Sequence, residues 1–238
     1  MKSFFRGKGF AFLSGIFGTQ TSEDLNRAGQ TKHEQKDFPG AIAYFTKAIG
    51  LNPAYPAPFY NRGSAKIQMQ DFTGAIADFN RALELQPDLF PAYYNRGRAK
   101  HQLNDFEGAI GDYTYAIALS PDFPSAYFSR GSAKYDLKDY QGAVGEYSKA
   151  IELSPHDAEA YFCRGNAKHG MKDRRGAIED YSKAIELAPD AAEVYSSRGA
   201  VRMEIGERKE GREDLMRAAT LLGDVQALEK LRKQLTEP

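Results

Sequence analysis

From about residue 22 to residue 225, small, aromatic and charged positions return every 34 residues, a spacing far longer than the period of any single helix or strand. Each unit holds two runs of helical character between punctuating residues. The first run carries the segments FYNRGSAK, YYNRGRAK, YFSRGSAK, YFCRGNAK and YSSRGAVR, with glycines at Gly63, Gly97, Gly131, Gly165 and Gly199, and Gly29 lies one step back. The second run carries alanine twelve residues after a glycine, at Ala41, Ala75, Ala109, Ala143 and Ala177. Alanine recurs nineteen residues after it, at Ala48, Ala82, Ala116, Ala150, Ala184 and Ala218. Small residues at Gly97, Ala109 and Ala116 let two antiparallel helices approach closely, and Tyr93 and Tyr113 fill the space around them. The punctuation sets the boundaries. Asp37, Asp71, Asp105, Asp139 and Asp173 stand just before a fresh helical run, where a carboxylate accepts from orphan amides of the first turn. Pro53, Pro87, Pro121, Pro155 and Pro189 follow the second run and end it, because proline cannot donate to a continuing helix and restricts the residue before it.

This pattern of aromatic, glycine, alanine, aromatic, alanine and proline resembles the tetratricopeptide repeat, and the resemblance covers about residues 22 to 225. It implies an all-α fold, a right-handed α–α superhelix of six helix-turn-helix repeats. The expected divisions are 22–55, 56–89, 90–123, 124–157, 158–191 and 192–225. The sixth unit is degenerate, with Gly211 for the expected alanine, Leu215 for the aromatic and Gly223 for the closing proline, as terminal repeats often are. Residues 224–238 follow, with Val225, Leu228, Leu231 and Leu235 at helical spacing, and are expected to form a capping helix over the last apolar face.

Residues 1–21 differ from the rest. Their first 20 residues lack acids, carry Lys2, Arg6 and Lys8, and have a short apolar stretch from Phe10 to Gly18. One reading is a secretory or targeting signal; the stretch is short, broken by glycine, and lacks a convincing small-x-small cleavage site. The other is a strip of Phe12, Leu13, Ile16 and Phe17 that covers the open end of the array or stays a loose tail.

Composition narrows the function classes. Lysine plus arginine and aspartate plus glutamate both total 32, so no net field draws the chain toward nucleic acid or a membrane surface. The single cysteine, Cys163, has no intramolecular partner, and a reducing cytoplasm fits best. After residue 20 every hydrophobic stretch is interrupted well short of the roughly 20 residues a membrane span needs. Membrane contact is left to residues 1–20.

Five arginines, Arg62, Arg96, Arg130, Arg164 and Arg198, precede the glycines, where the family commonly has an aliphatic residue. They form either an anion-binding ladder or structural ion pairs. An acid stands sixteen residues after each, at Asp78, Asp112, Glu146, Asp180 and Asp214, and the first unit has Ala28 and Tyr44 in those two places. Both partners vanish together, so ion pairing is expected, with Arg96 and Arg130 against Asp78, Asp112 or Glu146. Lys66, Lys100, Lys134 and Lys168 either join this seam or lie in solvent.

His33, His101 and His169 occupy one repeat position in alternate units, and His156 lies elsewhere. Equivalent residues two units apart lie on the order of 20 Å from each other, beyond the roughly 2 Å of shared coordination, so no metal or other cofactor is expected. Cys163 fills a slot held elsewhere by Asn61, Asn95, Ser129 and Ser197, which suits a small residue beside a helix contact. No phosphate loop, HExxH or nucleophile elbow occurs, so no catalytic residue is assigned and the chain is not expected to be an enzyme.

The resemblance further implies that the first helix of each unit lines an inner groove. Its fifth positions are Asn26, Tyr60, Tyr94, Phe128, Phe162 and Ser196, aromatics between polar ends. With Arg98, His101, Tyr135, Asn166 and His169, the four aromatics Tyr60, Tyr94, Phe128 and Phe162 make the expected partner-binding groove. Tyr94 and Phe128 are expected to be partly exposed. The aromatics can equally be packing consensus. Chaperone-binding members grip a terminal carboxylate with lysine, asparagine and arginine at set positions; the corresponding slots here hold Tyr60, Ser64, Asn95, Ser125 and Ser129, and only one fits. The register one unit on fares no better. The expected function is therefore a protein-binding scaffold or adaptor that holds a peptide or an amphipathic helix, without nucleic acid. The alternative is an assembly protomer that self-associates, or attaches to a membrane, through its N-terminal segment.

Overall fold

The computed structural model describes residues 20–229. The readings made for residues 1–19 and for Leu231 and Leu235 lie outside the described residues. Twelve α-helices are defined in this range: α1 (Ser22–Glu34), α2 (Phe38–Leu51), α3 (Pro56–Gln68), α4 (Phe72–Leu85), α5 (Phe90–Gln102) and α6 (Phe106–Leu119), then α7 (Pro124–Asp136), α8 (Tyr140–Leu153), α9 (Ala158–Gly170), α10 (Arg174–Leu187), α11 (Ala192–Glu204) and α12 (Arg208–Leu222). The fold is all-α, a succession of helix-turn-helix pairs. After Gly223, with its left-handed φ of 69°, residues 225–229 are again helical, and Val225 is exposed.

The five aspartates cap as their positions require. Asp37, Asp71, Asp105, Asp139 and Asp173 each accept from the amide three residues on, at 2.9–3.0 Å. Helix α1 begins with a reciprocal box, in which Thr21 Oγ1 accepts from the Asp24 amide and Asp24 Oδ2 from the Thr21 amide, both at 3.1 Å. At the other end, Asn52 and Gln86 both swing to φ −140°, ψ 90°, the extended backbone that a following proline imposes.

The turns within the first five pairs share a feature that composition alone does not show. Lys36, Gln70, Asn104, Lys138 and Lys172 all adopt φ of 60–66°, and the sixth pair has Gly206 at φ 89°. A left-handed conformation costs an L-residue about 1–2 kcal/mol, and glycine returns part of that gain through its freer unfolded chain. Lys138→Gly is therefore expected to raise stability by about 0.5–1 kcal/mol, read as a higher urea midpoint. An unchanged or lower midpoint would show that the turn is not under this strain.

The chain forms two compact units, one through Ala99 and one from Lys100. In the first, Phe45 and Phe79 are fully buried, the latter with Ala75, Leu83 and Ala92. In the second, Tyr147 and Tyr181 take the same role, Tyr181 among Ala177, Ala184, Val194 and Val201. Burying each such ring contributes on the order of 2 kcal/mol. Glycine is needed where a first helix meets its ring: a Cβ at Gly165 would lie 2.6 Å from Tyr181 Cε1. Each first helix thus has one side of small buried residues, such as Ala160, Gly165 and Ala167 on α9, and turns its other side outward.

Candidate functional site

The register arginines lie in the seam between helices. Arg62 holds Asp78 with two bonds, Nε to Oδ2 at 2.9 Å and Nη2 to Oδ1 at 2.6 Å. Arg164 and Arg198 hold Asp180 and Asp214 with the same fork, at 2.7 and 2.9 Å. Arg130 donates to Glu146 at 2.7 Å, as its position predicts. The following base joins the same carboxylate: Lys66 with Asp78, Lys100 with Asp112, Lys134 with Glu146, Lys168 with Asp180 and Arg202 with Asp214, at 2.6–2.9 Å. Sequence reading missed a third anchor. The remaining guanidinium nitrogen Nη1 donates to a polar side chain sixteen residues back, Thr46, Asn80, Thr114, Ser148 or Ser182. Each guanidinium also lies over the ring three residues before it, as Arg164 does over Tyr161 at 5.4 Å. Held in the seam in this way, these arginines pair with carboxylates and do not line up as an anion ladder.

At Arg130 the fork is incomplete. Glutamate at 146 reaches only Nη2, and Arg130 Nε is left buried without a partner. Glu146→Asp is expected to restore the fork seen at Asp78 and to stabilise the chain by about 1 kcal/mol, since an unsatisfied buried donor costs about 1–3 kcal/mol. Chemical denaturation checks this; a loss of stability would mean that the extra methylene fills space that aspartate leaves empty.

In the first unit, Tyr60 is half-buried and tilted against Phe79, with ring centroids 5.9 Å apart, and its hydroxyl accepts from Asn95 Nδ2 at 3.1 Å. Tyr94 is half-buried and lies beneath Arg98, at 5.9 Å. Arg98 is exposed, and its Nη1 reaches Asn95 Oδ1 at 3.5 Å. Asn26, counted above among the polar ends of the ladder, is instead buried, where its Oδ1 accepts from Asn61 Nδ2 at 2.9 Å. An open cleft of about 350 Å³ lies here, lined by Tyr60, His33, Asn61 and Ser64 among others. His33 Nε2 is buried and unpartnered, beside the edge of Phe38.

In the second unit, Phe128 and Phe162 are half-buried and seated on the buried rings of Tyr147 and Tyr181, with centroids 5.5 and 5.9 Å apart. Tyr147 donates to Ser132 Oγ at 3.2 Å, and Tyr181 to Asn166 Oδ1 at 2.8 Å. Asn166 is thereby fixed from behind. Tyr135 is half-buried and edge-on to Tyr140 at 5.3 Å. His101 pairs with Asp136 at 2.7 Å, and His169 with Glu204 at 3.1 Å, each joining one first helix to the next. Sequence reading places both histidines on this face but not the ion pairs they make. The signal was present, an acid 35 residues after each histidine. Arg174 also binds Glu204 at 2.8 Å, and Arg174 and His169 hold its carboxyl below the usual range.

Among the described residues no group of three or more His, Cys, Asp or Glu side chains gathers as metal ligands. Cys163 is half-buried, and burial above all pushes its thiol up to about 12, which leaves little thiolate near neutrality. Among the same residues no helix is long and apolar enough to cross a membrane.

A family model described as TPR repeat matches residues 63–104, 97–138, 131–172 and 175–206, and a second, described as tetratricopeptide repeat, matches residues 25–55. No curated protein matches the chain. Among solved structures, MamA is 25% identical at a TM-score of 0.67, covering 73% of this chain and 95% of that one. YrrB, a TPR protein with an unusual peptide-binding site, is 22% identical at 0.67, covering 79% and 97%. The pilF protein of Pseudomonas aeruginosa is 12% identical at 0.73, covering 90% and 97%. The likeness to the last two is one of fold.

Proposed function

The chain belongs to the tetratricopeptide repeat family, and from that premise we propose that it is a non-catalytic protein-interaction scaffold, holding a partner peptide or amphipathic helix against the outward sides of its first helices. The observation that carries this reading is the seating of Phe128 and Phe162. Each ring rests against a buried tyrosine and is itself only half-buried. An aromatic held rigidly from behind loses little entropy when a partner covers it, and half-exposed rings among polar neighbours are what a docking surface offers. Tyr60, Tyr94 and Arg98 in the first unit, and His101, Tyr135, Asn166 and His169 in the second, complete the proposed contact residues. The six-repeat division, a cap formed from residue 224 onward and a reducing, cytoplasmic setting belong to the same proposal.

Affinity capture with the full chain and with Phe128→Ala/Phe162→Ala, compared by mass spectrometry, tests it. The expected result is a protein retained by the parent and lost from the variant, with the variant still folded at the temperature of capture. Identical captures by the two would retire the outward sides of the first helices as the binding surface.

A further inference from the structure

On α7, α9 and α11, residues three and four apart form one outward side of each helix: Phe128, Ser132 and Tyr135, then Glu159, Phe162 and Asn166, then Glu193 and Ser196. The aromatic floor on this side has a negative rim. Asp136, Glu159, Glu193 and Glu204 are all exposed. Asp136 and Glu204 have cationic neighbours in His101, His169 and Arg174. Glu159 and Glu193 have no ion pair among the described residues, and each lies in the first turn of its helix, three residues before Phe162 or Ser196. The arginines and lysines of the same helices face the other way, consumed in the seam with Glu146, Asp180 and Asp214.

The field of these acids reaches into the protein. Cys163 packs in the cluster that includes Phe128 and Tyr135. Beyond its burial, the carboxylates of Glu159, Asp157 and Glu193 all disfavour its thiolate, so acids from two successive first helices act on one point of the floor.

We propose that this face takes up a cationic, aromatic-bearing peptide segment, with its rings against Phe128 and Phe162 and its lysines or arginines against Glu159 and Glu193. The inference rests on the scaffold reading and adds the chemistry of the partner. Aromatic anchors supply the affinity, and the acidic rim selects against acidic segments and speeds encounter with basic ones. Residues 1–19 of the chain have the required chemistry, with no acid, Lys2, Arg6 and Lys8, and five phenylalanines, and so provide a defined probe.

A labelled peptide of residues 1–19 is titrated by fluorescence anisotropy into the full chain carrying Lys2→Gln, Arg6→Gln and Lys8→Gln, so that the chain's own segment does not compete. Saturable binding is expected, weakened about fivefold by Glu159→Gln/Glu193→Gln and again by added salt, since the rim pairs are exposed. The peptide with its three bases replaced by glutamine is expected to bind correspondingly weakly. Circular dichroism melts confirm that each variant is folded. Absence of saturable binding, or binding that ignores both Glu159→Gln/Glu193→Gln and salt, overturns the inference. If that charge-blind binding is still lost in Phe128→Ala/Phe162→Ala, the scaffold reading stands without the cationic partner. If it survives those replacements as well, the first-helix face falls with it as the binding surface.

Discussion

Asp180→Ala lowers the free energy of unfolding by about 3 to 5 kcal/mol, the range found when one partner of a buried ion pair is removed. The carboxylate is only 5% exposed and serves two cations, the Arg164 fork at 2.7 and 2.9 Å and Lys168 at 2.8 Å. Its removal leaves two partly buried positive charges facing each other across the α9–α10 seam, with Arg164 bound only by Ser148 and the Tyr161 ring. Urea unfolding followed by circular dichroism reads the loss. Hydrogen exchange is expected to rise most in α9 and α10, because a repeat unit couples chiefly to its neighbours. Replacing all three groups together, as Arg164→Met/Lys168→Met/Asp180→Leu, is expected to recover most of the loss, since an apolar substitute for a buried charge cluster is often near neutral. The exposed pair Lys183 and Glu186 is a contrast on the same helix, and Lys183→Ala is expected to leave the midpoint where it is. A similarly small effect of Asp180→Ala would mean that water already screens the seam.

This seam was the most legible part of the chain because it rests on a spacing within one helix pair. Sixteen residues carry the chain from Arg62 to Asp78 and from Arg164 to Asp180, and the loss of both partners in the first unit, at Ala28 and Tyr44, distinguished pairing from coincidence. Helix limits were equally open to reading, because Asp139 or Asp173 capping, and Asn52 or Gln86 before proline, are local chemistry. Contacts between successive first helices were not. Whether Asn61 meets Asn26, or His169 meets Glu204, depends on the stagger of one repeat against the next, and nothing in the chain's period fixes a step of 35 where the repeat is 34. For the same reason Asn26 was read as a groove residue and is buried. The left-handed turns at Lys138 and Lys172 were hidden in another way, since glycine, the usual mark of positive φ, is absent from those positions.

The candidate face was legible as a row of aromatics, and two roles remained open for them, packing and docking. The geometry gives these rings a packing contact and leaves them only half-buried. Phe128 and Phe162 pack against the clusters of Tyr147 and Tyr181, so they contribute to the seam, yet neither ring is itself buried. A half-buried ring removed from such a site forfeits only part of the roughly 3 to 5 kcal/mol that a fully enclosed phenylalanine is worth, because solvent rather than a void replaces its exposed side. Removed from a docking site, the same ring costs the partner about 2 kcal/mol or more, close to thirtyfold in affinity. Phe128→Ala/Phe162→Ala is therefore expected to weaken a captured partner by several hundredfold, somewhat short of the roughly 900-fold of simple addition, since anchors in one interface do not sum. Over the same variant the unfolding midpoint is expected to fall by an amount small enough to leave the chain folded at the binding temperature. Isothermal titration with the captured partner, beside thermal melts of parent and variant, separates the two roles. A deep loss of stability with affinity intact would assign the rings to packing and move the search for the binding surface to the exposed sides of the second helices.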